Sequence, residues 1–136
     1  MHEEQYNKKS LVALLIRLAK ADNIIDPAEI AFINDICERI GIEETAQAEI
    51  WQNSDAYPLN TPDSERHRLT ILYQLLNLMK SDGEVSPEEE DFVRHTGKLL
   101  HLNEVLIEEF LQLAKNTDTT HVAPELFVEN FKKYLN

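Results

Sequence analysis

Apolar residues recur along this chain at intervals of three and four. Leu11, Leu14, Leu15 and Leu18 follow that rule, and so do Ile71, Leu72, Leu75 and Leu78. Such spacing gathers side chains on one face of a helix, and predicts helices over about 9–21 and 65–81. After each comes a charged bend and then a strong helix start, Asp26-Pro27-Ala28-Glu29 and Ser86-Pro87-Glu88-Glu89. Both combine an N-cap residue, proline at the first helical position and glutamate at the third. The helices that begin there are expected to bury Phe32, Ile33, Ile36 and Ile40 in one case, and Phe92, Val93, Leu99 and Leu100 in the other. Third helices follow over about 43–53 and 103–116, and a linker with Pro58 and Pro62 separates the two sets. A last helix over about 124–135 opens at Pro124. Period-2 alternation is absent, so the pattern predicts an all-α domain of seven helices spanning 1–136.

The two sets are in register. Shifted by sixty positions, residues 10–52 face residues 70–112 without a gap, with ten identities in 43 pairs. Leu15 meets Leu75, Lys20 meets Lys80, Asp22 meets Asp82, Pro27 meets Pro87, Glu29 meets Glu89 and Phe32 meets Phe92. Most other pairs keep apolar opposite apolar. Two copies, rather than three or more, suggest an internal pseudo-two-fold and not a solenoid.

Composition narrows the function. The chain has 136 residues, enough for one core. Only 3 Gly and 5 Pro interrupt it. With 25 Asp and Glu against 13 Lys and Arg, the net charge is −12. Such a surface repels phosphate backbones and anionic membranes and suits cations or basic protein surfaces. The expected partner is therefore a protein, with no nucleic acid and no direct membrane insertion. Cys37 is the single cysteine, which excludes an internal disulfide and a cysteine-based zinc site, and its apolar setting marks it as a small buried hydrophobe. The polar start MHEEQYNKKS has no signal-peptide character, and the longest apolar run, LVALLI, is too short to span a bilayer. The expected location is the cytoplasm.

The doubled motif Lys-x-Asp-[Gly/Asn]-x-[Val/Ile]-x-Pro-x-Glu, at 20–29 and 80–89, resembles that of the tellurite-resistance TerB-like family. The helical, duplicated layout is similar too, over roughly residues 10–112. The resemblance implies a bacterial helical module, cytoplasmic or membrane-associated, linked to tellurite and other chemical stress, with an acidic metal-binding site and no established enzymatic activity. The chain departs from the family wording at Asn23, where Gly is usual, and at Ser81, where Ala is usual. Asparagine tolerates a left-handed backbone, so the first bend can keep its shape.

The acidic bends allow two readings. An ordinary calcium hand fails on its register. With Asp82 at position five and Glu89 at position twelve, Leu78 and Lys80 fall where carboxylate ligands belong, and Leu18 and Lys20 repeat the failure. A site shared across the pseudo-two-fold would instead use Asp22, Glu29, Asp82 and Glu89. Its all-oxygen donor set suits Mg²⁺, Ca²⁺ or Mn²⁺. Against this stands purely local chemistry, with Glu29 and Glu89 closing capping boxes and Asp22 and Asp82 forming turns. Lys20 and Lys80 would then favour the C-termini of their own helices.

Catalytic signatures are missing. No Glu-x-x-His pair, Gly-rich phosphate loop or Ser-His-Asp order is present among the five histidines. Asp91 and His95 are expected to form an exposed i, i+4 pair, and Trp51 to pack in the core. The expectation is a non-catalytic, TerB-like stress-associated module that binds a divalent cation at its acidic bends. The alternative is an acidic interaction domain for a basic or helical partner, without metal.

Overall fold

The computed structural model describes residues 2–81 and 83–116, with side chains from residue 8 onward. Six helices and one short 3-10 turn account for them, and the described residues contain no strand. They are α1 (His2–Ala19), α2 (Pro27–Ile40), α3 (Glu44–Gln52), the 3-10 turn (Ser54–Ala56), α4 (Glu65–Lys80), α5 (Pro87–Leu99) and α6 (Glu104–Asn116). The described residues form an all-helical domain, as their periodicity demands. The helix expected at 124–135 lies outside the described residues.

α1 begins seven residues earlier than the apolar pattern suggests, because its first turns are polar and give no periodic signal. Its second half is buried on every side. Val12, Ala13, Leu14, Leu15, Ile16, Leu18 and Ala19 are all covered, not only the predicted stripe. α4 behaves alike, from Leu75 through Lys80. A helix that is apolar all round must lie inside the bundle. α1 and α4 accordingly pack on each other, while α2, α3 and α5 also lie on α1, and α2, α5 and α6 on α4. Each fully covered leucine or isoleucine in this pair contributes about 1.5–3 kcal/mol of transfer free energy.

The outer helices show one covered stripe each. In α2 it includes Glu29, Ile33, Ile36 and Cys37, and in α5 Glu89, Val93, Thr96 and Gly97. These are the same positions sixty residues apart. Leu99 departs from expectation and is 48% exposed. It falls in the register of Arg39, outside the stripe, while Leu100 takes the buried place. Burial pushes the Cys37 thiol up to about 11, the character of an inert core cysteine.

Four described residues have a left-handed backbone, and they form two pairs sixty positions apart. Asn23 (φ 63°) matches Gly83 (φ 84°), and Gly41 (φ 82°) matches His101 (φ 59°). The first pair bends the chain after α1 and α4, and the second ends α2 and α5. Asparagine thus replaces glycine at the first bend with the turn intact.

Gly97 marks a close approach of α5 and α6. A Cβ built there would lie 2.6 Å from Ile107 Cδ1 and 2.9 Å from its Cγ1. Ile107 is itself buried and has little room to yield. Gly97→Ala should gain little, because about 1 kcal/mol of helix propensity is spent against this overlap. Gly97→Leu should lower stability by about 1–3 kcal/mol or more in a denaturant titration. A leucine variant as stable as the parent would show that the helices are not held this closely.

Candidate functional site

The charged bends are built from short-range bonds. Asp22 Oδ1 accepts the Ile24 amide at 3.0 Å, an Asx-type turn. At the start of α2, the Asp26 carboxylate accepts the Ala28 amide at 2.8 Å, and Glu29 Oε1 reaches back to accept the Asp26 amide at 3.0 Å. At the start of α5, Ser86 Oγ accepts the Glu89 amide at 3.1 Å and Glu89 Oε1 accepts the Ser86 amide at 3.0 Å. Both are closed capping boxes. Glu29 and Glu89 are only 2% and 4% exposed.

The lysines of the doubled motif do something the sequence reading missed. Each was expected to serve the end of its own helix. Instead each crosses to the end of the third helix of its set. Lys20 Nζ donates to the Trp51 carbonyl in the last turn of α3, at 2.7 Å, and stands 5.9 Å from the centroid of the half-buried indole. Buried Lys80 donates to the Ala114 carbonyl in the last turn of α6. A cation there satisfies carbonyls left open by the helix and opposes the negative end of its dipole. The signal was present in the sequence, as two lysines in equivalent positions, but the carbonyl partner is a backbone group that no side-chain pattern advertises.

Asp22, Glu29 and Glu89 are thus described with local partners, while Asp82 lies outside the described residues. Among the described residues, no group of three or more His, Cys, Asp or Glu is placed to hold a metal ion. Asp91 does not pair with His95. It faces Arg94 at 3.2 Å, and Arg94 also bonds Glu108 at 2.6 Å and stands 3.5 Å from Glu90. The hydrogen bond from Arg94 holds the Glu108 carboxyl below its usual range. Arg94, one turn along from Asp91, offers a permanent charge and five donors, which outcompetes an imidazole. Lys115 of α6 meets Glu90 at 3.3 Å, so this cluster clasps α5 to α6.

Two other surface features stand out. A groove of about 710 Å³ runs between α2 and α3. Asn34, Glu38, Gly41, Glu43 and Glu44 line it, with Ile42 and Gln47, and no cation is among the lining residues. Ile30 lies one turn before Asn34 and two before Glu38, so one stripe of α2 leads from an apolar residue into an acidic groove. Ile30 is 40% exposed, and at the neighbouring bend Ile24 and Ile25 are 71% and 39% exposed. The equivalent positions of the second set are Glu84, Val85 and Glu90. The other feature is the linker, which is tied down at both ends. Arg17 donates to the Ser54 and Tyr57 carbonyls at 2.9 and 3.2 Å, and Arg68 to the Pro62 carbonyl at 3.3 Å. Burial lowers the Arg17 pKa against the pull of Asp55.

No family model, curated protein or solved structure matches this chain. Among the described residues, no helix is long and apolar enough to cross a membrane.

The capping role makes a sharp prediction. Gln can close the same box as Glu, so Glu29→Gln and Glu89→Gln should each stay within about 1 kcal/mol of the parent, whereas the alanine variants should lose about 1–2 kcal/mol. Thermal melts of the four single variants, without added metal, check this. Equal losses for Gln and Ala would assign the carboxylates to something other than capping.

Proposed function

We propose that this chain is a non-catalytic acidic interaction domain that takes a basic amphipathic segment of another protein along α2. The observation that carries the reading is the continuous stripe from exposed Ile30 into the groove of Glu38, Glu43 and Glu44. An apolar residue of the partner would cover Ile30 and Ile24, and its lysines or arginines would enter the groove. The −12 charge of the chain would speed such an encounter and make it fall with salt. A basic amphipathic peptide titrated into the full chain should bind in the micromolar range at low salt and at least tenfold more weakly at 0.5 M NaCl. Glu38→Gln with Glu43→Gln and Glu44→Gln should weaken it at least tenfold, and Ile30→Ser should weaken it with little change in the salt slope. Binding untouched by these substitutions would end the proposal.

A TerB-like module that holds Mg²⁺, Ca²⁺ or Mn²⁺ is the second reading. It draws support from the doubled motif and from the matching left-handed residues Asn23 and Gly83 that follow the two aspartates. In this reading Asp22, Glu29, Asp82 and Glu89 supply the oxygens, and a cytoplasmic role in chemical stress goes with it. A millimolar concentration of one of these ions should then raise the melting temperature, and Asp22→Asn or Asp82→Asn should abolish the rise. The absence of any rise removes the cation from the reading and leaves the interaction domain standing.

A further inference from the structure

We infer that a second cleft, between α1, the linker and α5, binds a free α-amino acid with a large apolar side chain. The cleft measures about 290 Å³, just below the usual range for ligand sites and roomy enough for one small molecule. Leu14 of α1, Leu59 of the linker, and Phe92 and Leu99 of α5 form its apolar side. Leu99 lies outside the covered stripe of α5 and is 48% exposed, and an apolar group in the cleft would cover it. Two opposite charges, Arg17 and Asp55, line the same cleft. An apolar body carrying one anion and one cation matches that arrangement. A simple carboxylic acid has nothing to offer Asp55, and a simple amine has nothing to offer Arg17.

Neither charge is used up by the fold. Arg17 Nη1 donates to the Ser54 and Tyr57 carbonyls at 2.9 and 3.2 Å, which holds the guanidinium in place. Its Nε and Nη2 have no hydrogen-bond partner among the described residues, and neither is sealed from solvent. Those two nitrogens form the edge with which an arginine grips a carboxylate through two parallel bonds. Asp55 is near enough to act on the Arg17 charge, yet its exposed carboxylate makes no ion pair or hydrogen bond among the described residues. Burial lowers the Arg17 pKa, so this cation is short of water, and a carboxylate entering the cleft supplies the counter-charge. The ammonium group of the same molecule then answers Asp55, while its side chain lies against Leu14, Phe92 and Leu99. This cleft shares no lining residue with the groove of α2 and α3, so either stands if the other fails.

The test uses L-leucine as the probe, with isocaproate as a control that lacks the ammonium group and isoamylamine as one that lacks the carboxylate. All three are titrated into the full chain by calorimetry, with methyl NMR shifts of Leu14, Leu59 and Leu99 to locate the site. L-Leucine should bind with a Kd of about 1 mM or below, at least tenfold more tightly than either control, and shift those methyls. Asp55→Asn should keep the melting temperature of the parent and bring L-leucine down to the level of isocaproate. His95→Trp, at an exposed position on the wall of the cleft, should block the probe with the melting temperature held. Failure of L-leucine to bind at millimolar concentration, equal affinity for either control, or affinity unchanged in either variant would each overturn the inference.

Discussion

A carboxylate taken out of water must be met by donors, and the covered positions of Glu29 and Glu89 fix where α2 and α5 begin. Each side chain folds back on the amide of its own N-cap residue. A helix that starts one residue early or late loses that bond and buries a charge without compensation. The proline at the next position enforces the same start by fixing φ. Because the start is fixed, so is the phase of the stripe that follows. Ile33, Ile36 and Cys37 therefore face inward on α2, and Val93, Thr96 and Gly97 on α5. The close contact of Gly97 with Ile107, and hence the seating of α6, depends on that phase. Lys20 and Lys80 complete the arrangement from the other direction, by anchoring the ends of α3 and α6 to the ends of α1 and α4.

The same geometry decides how the acidic residues are best understood. Carboxylates committed to amides at 2.8–3.0 Å within a cap are already serving the fold. Those of the groove are not. Glu38, Glu43 and Glu44 stand exposed on α2 and at the start of α3, where no cap or clasp employs them. In the second set the corresponding face carries Lys98 and is closed by the pairs of Arg94 and Lys115 with α6. Charge that is paired internally holds the bundle together. Charge that is left outside is available to a partner.

Much of this was legible in the residues. The six helices, their order, both capping boxes and the tolerance of Asn23 for a left-handed turn all follow from local rules, because each depends on neighbours within four positions. The errors have the opposite character. The early start of α1 was hidden because polar turns carry no period. Leu99 was assigned to the core because an apolar residue near the end of a helix looks buried until the phase is fixed by the cap. Asp91 was matched to His95 by spacing alone, although Arg94 competes for the same carboxylate. Lys20 and Lys80 reach main-chain carbonyls 31 and 34 residues away, beyond the range of any spacing rule along one helix.

The difference between the two bends also sets a valence. Ile24, Ile25 and Ile30 meet solvent at the bend after α1 and the start of α2, and Glu84, Val85 and Glu90 occupy the matching positions after α4. A frame with two adhesive ends would join neighbours head to tail and grow without closing. The two bends differ in this respect, and a contact made on the apolar residues of the first has no counterpart at the second.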